Sequence, residues 1–77
     1  MTTEAQIINI INSSLNREPL INDSDLPKTI KDLEIDSLDF MLILVKIQED
    51  LGVSISETEA AKIDRIADLV EIVKSSK

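Results

Sequence analysis

With 77 residues, 43% of them apolar and a single aromatic (Phe40), the chain has room for one domain around one small core. Fifteen Asp and Glu against eight Lys and Arg leave a net charge of −7, so phosphate backbones and anionic membranes repel this surface and basic protein patches attract it. There is no cysteine and no histidine, which excludes a disulfide framework, a thiolate nucleophile, the usual general base and the usual transition-metal ligand.

The opening stretch "MTTEAQIINI" has neither a basic n-region nor a long apolar run, so no signal peptide is read there. Thr3-Glu4-Ala5-Gln6 fits a capping box, with its acid in the first turn where the helix dipole favours it. Ile7, Ile8, Ile11 and Leu15 follow at helical spacing and predict a first helix over about 4–16, with Pro19 beyond its end. Residues 17–36 show no clean period and are expected to form a packed loop. Leu20, Ile21, Leu26, Ile30 and Leu33 would anchor it, with one helical turn after Pro27.

A second helix is expected from Asp36 or Ser37 to Leu51, stopped by Gly52. An extended "VSI" leads to a short helix capped by Ser56, with Glu57 and Glu59 in its first turn. After a break near Ile63, Asp64 is expected to cap a last helix carrying Ile66, Leu69, Val70 and Val73, with Lys74 favouring its C-terminal end. The fold class is therefore all-α, a bundle of three main helices plus one short helix and a long first loop. The longest apolar run, Phe40 to Val45, is six residues and too short to cross a bilayer, so a soluble, cytoplasmic protein without membrane insertion is expected.

The second helix is apolar on two sides. At about 100° per residue, Phe40, Ile43, Leu44, Ile47 and Leu51 form a core stripe, whereas Leu38, Met41, Leu42 and Val45 collect on a different face. Asp39, Lys46 and Asp50 make a polar strip between them. The second apolar face is either covered by the long loop and the short helix or open to a partner.

That helix opens with "DSLD". Asp36 and Ser37 are both good N-cap residues, and capping alone would account for them. Catalysis by Ser37 would need a base and a group to orient it, and with no histidine and no lysine tied to it by a motif, no catalytic residue is assigned. Asp36 and Asp39 could serve a metal-dependent or hydrolytic site, but acids three apart on a helix more often cap or face solvent. "NDSDLPKTIKDLEID" also lacks the acid spacing of a calcium loop, so no metal is assigned. Ser37 could instead be a substrate: a phosphodiester on its hydroxyl would sit where helix N–H groups favour negative charge. Asp36 and Asp39 would repel that phosphate unless a divalent ion on the modifying enzyme spanned them.

The stretch "DLEIDSLDFMLILVKIQEDLGVSI", with the acidity, the long first loop and the short acidic third helix, resembles the acyl carrier proteins. The resemblance implies a single non-enzymatic carrier domain over 1–77. It would bear a 4′-phosphopantetheine arm on Ser37, donated by coenzyme A, with Asp36 and Leu38 beside the attachment point. Acyl groups would ride on that arm as thioesters, and enzymes elsewhere would do the chemistry. The implied partners are a phosphopantetheinyl transferase and acyl-loading and acyl-transfer enzymes, meeting a monomer through Asp39, Met41, Leu42, Val45, Glu49 and Glu57, with no nucleic acid. Ser37 would then both cap the helix and carry the arm. An interaction module that keeps this fold without the arm and binds a partner through the second helix is the alternative.

Two positions depart from the family's pattern. Glu34 stands where a glycine is usual, and a glutamate forced to positive φ is strained, so the loop is expected to turn differently. Leu42 stands where a glutamate usually meets basic patches on partner enzymes, and Lys46 adds a positive charge further along. Leu42 makes the second helix greasier and Lys46 makes it less acidic, and together they favour a specialised carrier, serving a dedicated lipid, polyketide or aminoacyl pathway, over the general fatty-acid carrier.

Overall fold

The structure is a computed structural model, and it describes residues 2–16 and 20–76. The predicted position of Pro19 beyond the first helix lies outside the described residues. Among the described residues four α-helices occur in chain order: α1 (Thr3–Leu15), α2 (Ser37–Leu51), α3 (Glu57–Ala61) and α4 (Ile66–Ser76), with a 3-10 turn at Asp23–Asp25. Among the described residues there is no strand, and a single isolated bridge pairs Thr29 with Arg65.

Branched aliphatic side chains at helical spacing build the core. Ile7 and Ile11 of α1, Ile43 and Ile47 of α2, and Ile66, Leu69 and Val73 of α4 are fully buried, each contributing about 1.5–3 kcal/mol of transfer free energy. α1 packs against both α2 and α4, and Phe40, Leu51, Ile55, Ala60 and Ile63 close the cluster from its edges. Ile10, off the predicted stripe, is also buried.

The caps differ in register from expectation. α1 is capped by Thr2, whose hydroxyl accepts from the Ala5 N–H at 3.1 Å, so Thr3 is already helical and no capping box forms there. α3 does carry the predicted cap: Ser56 and Glu59 exchange side-chain and backbone bonds, both at 3.1 Å. Asp64 does not cap α4. The Asp68 carboxylate reaches back instead, accepting from the N–H groups of Asp64 at 3.0 Å and Arg65 at 2.9 Å, because a carboxylate one turn in covers two free donors at once.

The long loop is packed, as its apolar residues imply, but its details depart from the reading. Leu20 is 55% exposed and anchors nothing, while Ile21 is buried. Ile21 is held because its N–H and C=O both bond the Asn12 amide of α1, at 2.8 and 2.9 Å. The 3-10 turn precedes Pro27, and after Pro27 a hydrogen-bonded turn runs from Thr29 to Ile35. Two backbone bonds stitch this loop to the start of α4: Ile30 N–H to the Asp64 carbonyl (2.8 Å) and Ala67 N–H to the Leu26 carbonyl (3.0 Å). Gln48 plays the same part after α2, its side-chain oxygen accepting from the Ile55 N–H at 3.1 Å.

Candidate functional site

The site begins with the turn that delivers the chain to α2. Leu33 N–H bonds the Thr29 carbonyl, Glu34 N–H bonds Lys31, and Ile35 N–H reaches back to Ile30. The last two bonds are the paired closures of a Schellman turn, which needs a left-handed residue at Glu34. Glu34 takes that conformation, with φ of 58°. Glu34 bears the strain that positive φ imposes on a glutamate, because Ile35 behind it is buried and the backbone closures fix the path.

Asp36 then supplies the cap. Its backbone is extended (φ −80°, ψ 174°), its carbonyl accepts the first helical bond from Phe40 at 2.9 Å, and its Oδ1 accepts from the Asp39 N–H at 2.8 Å. Ser37 is the first helical residue and not the cap, which corrects the capping half of the double role predicted for it. Its side chain is exposed, and no hydrogen bond engages its hydroxyl among the described residues. Nor do the backbone N–H groups of Ser37 and Leu38 find partners there, so two free donors lie beside a free hydroxyl at the mouth of a 15-residue helix.

On one side Ser37 borders an open cleft of about 540 Å³, walled by Ile30, Ile35 and Ile63 and rimmed by Lys31, Glu34 and Asp64. The two backbone stitches between the loop and the start of α4 hold the walls together. Sequence reasoning missed Lys31, Ile63 and Asp64 as neighbours of Ser37, since no local pattern signals a cleft closed by segments distant in sequence.

Ser37 also adjoins the second apolar face of α2, and the structure leaves that face uncovered. Leu38 is 74% exposed, Met41 62%, Leu42 59% and Val45 49%, so neither the loop nor α3 covers them. Glu49 is exposed on the same face, Asp39 is half-buried on the polar flank, and Glu57 is exposed in the first turn of α3, outside the cleft lining. Among the described residues no group of three or more Asp or Glu is placed to hold a metal ion.

A hydroxyl with free backbone donors beside it fits an attached phosphodiester. The donors offer hydrogen bonds to phosphate oxygens, and the hydroxyl can be reached without breaking an existing bond.

Residues 5–73 match the family model described as "Phosphopantetheine attachment site". Over 71 residues the chain is 31% identical to the acyl carrier proteins of Rickettsia canadensis and Rickettsia prowazekii, covering 92% of this chain and 81% of theirs. The fold is similar to the solution structure of the acetyl actinorhodin acyl carrier protein from Streptomyces coelicolor. That match has a TM-score of 0.79 at 20% identity, over 99% of this chain and 90% of that one.

Proposed function

The chain belongs to the acyl carrier protein family and carries its phosphopantetheine attachment domain, and on that premise we propose that Ser37 is the residue that takes the arm. One observation supports this above others: Ser37 stands exposed at the first position of α2, its hydroxyl without a hydrogen bond among the described residues, the capping being done by Asp36. The arm supplies a terminal thiol, on which acyl groups are held as thioesters. Ser37 supplies the attacking oxygen for attachment: its Oγ bonds to the phosphorus of coenzyme A next to the pantetheine, the pyrophosphate bond breaks, and the nucleotide half leaves. The hydroxyl proton goes to a base on the transferase, since this chain has no histidine to receive it.

Members of the family meet phosphopantetheinyl transferases and acyl-handling enzymes. For this chain the proposal is narrower. Leu38, Met41, Leu42 and Val45 form an open apolar face next to Ser37, rimmed by Asp39 and Glu49, and Lys46 is exposed on the same helix. A face of this kind fits dedicated partner enzymes with an apolar docking patch better than partners that read acids alone. The carrier is accordingly specialised, for a dedicated lipid, polyketide or aminoacyl pathway, and works as a monomer. Its setting is the cytoplasm; no helix among the described residues is long and apolar enough to cross a membrane.

The experiment is intact mass after incubation with coenzyme A, magnesium and a broad-specificity phosphopantetheinyl transferase. One added phosphopantetheine on the wild type and none on Ser37→Ala is expected. No gain on the wild type, with another carrier modified in the same tube, would favour the arm-less module.

A further inference from the structure

We propose that Lys31 is a positioning residue that draws the root of the arm across the cleft, so that the arm starts along Ile30 and Ile63 and leaves the apolar face of α2 clear. This rests on Ser37 being the attachment residue.

Among the described residues lining the cleft, Lys31 is the only cation, and the acids Glu34, Asp36 and Asp64 line it as well. It is not committed to any of them. Lys28 is paired with Asp25 at 2.8 Å and Lys74 with Glu4 at 3.3 Å, but no ion pair engages Lys31 among the described residues. A phosphodiester on Ser37 would add a permanent negative charge to a rim that already carries three acids. An ammonium on a flexible four-carbon stem is the group at hand that can follow that phosphate and bind it as a point charge.

The direction follows from where the groups stand. Lys31 and Ser37 both line the cleft, whereas Leu38, Met41, Leu42 and Val45 are exposed on α2 and are not among its lining residues. A phosphate held toward Lys31 sends the chain attached to it over Ile30 and Ile63, which are half-buried walls able to cover apolar groups. The exposed face stays open to a docking enzyme while the cargo is sheltered.

The test compares amide chemical shifts before and after attachment of the arm by coenzyme A and a transferase, in wild type, Lys31→Gln and Lys31→Arg, with intact mass reporting attachment in each. In wild type the shifts at Ile63 and Asp64 should change along with those at Ser37 and Leu38. In Lys31→Gln the changes at Ile63 and Asp64 should fall by about twofold or more while those at Ser37 and Leu38 persist, and Lys31→Arg should restore them. A purely structural role would not be rescued by charge in this way. Equal changes at Ile63 and Asp64 in wild type and Lys31→Gln, with both proteins carrying the arm, would overturn the role of Lys31 alone. A wild type that takes no arm would overturn the assignment of Ser37 and this inference with it.

Discussion

Asp36 and Asp39 are joined across the first turn of α2, the Asp36 Oδ1 accepting from the Asp39 N–H at 2.8 Å, and Ser37 lies between them. The Asp36 carboxylate takes the capping role that Ser37 could also have filled. The carboxylate holds the helix start, and the serine hydroxyl makes no hydrogen bond among the described residues.

The capping role is measurable as stability. Asp36→Ala should cost about 1 kcal/mol and lower Tm by about 4–8 °C, with Asp36→Asn keeping most of the cap. Ser37→Ala should stay within about 0.5 kcal/mol of wild type in the same urea or thermal melts. The opposite ranking would make Ser37 the cap.

Glu34 holds a left-handed conformation that costs a residue with a Cβ about 1–2 kcal/mol. Glu34→Gly removes that strain but loosens the unfolded chain, so the net gain should be about 0.5–1 kcal/mol. Urea unfolding of the two proteins checks it; an unchanged or lower midpoint would mean that the turn is not strained in solution.

Leu42 is exposed, so Leu42→Glu should leave stability within about 0.5 kcal/mol while altering partner choice. Steady-state kinetics of general fatty-acid-synthesis enzymes with the loaded carrier should improve for the variant. Unchanged kinetics would remove Leu42 as a discriminating position.

Asp68 titrates below the usual carboxylate range, chiefly because its carboxylate accepts the Arg65 and Asp64 N–H groups and secondarily because of the Arg65 charge. A folded pKa below the unfolded value of 3.8 contributes stability that is complete above that value and is lost as pH falls through the folded one. The stability difference between wild type and Asp68→Ala should therefore be constant from neutral pH down to about pH 5 and narrow below 3.8. Urea melts across that range test it, and a difference that widens in acid would contradict the assignment.

Much of the fold was legible in the chain because period and punctuation agree: isoleucines at helical spacing mark α1, Gly52 at φ 65° stops α2, and Ser56 with Glu59 opens α3. Caps were misplaced by one residue where two capable residues stand side by side, Thr2 with Thr3 and Asp36 with Ser37. There the path of the incoming chain chooses, and sequence does not record that path. The stitches at Ile30–Asp64 and Leu26–Ala67 are made by backbone, so no side chain announces them. Asn12, unremarkable inside a helix, owes its role to Ile21 arriving beside it. At the site, periodicity placed Leu38, Met41, Leu42 and Val45 on one face but could not say what covers a face; their exposure came only with the packing of the loop and α3.

The most direct test of Ser37 as the attachment residue is fragmentation mass spectrometry of the intact chain after arm transfer, locating the added mass along the sequence. The expected result is fragment ions that place the whole phosphopantetheine between Asp36 and Leu38. An arm found on Ser24, Ser54, Ser56 or any other hydroxyl would contradict the assignment.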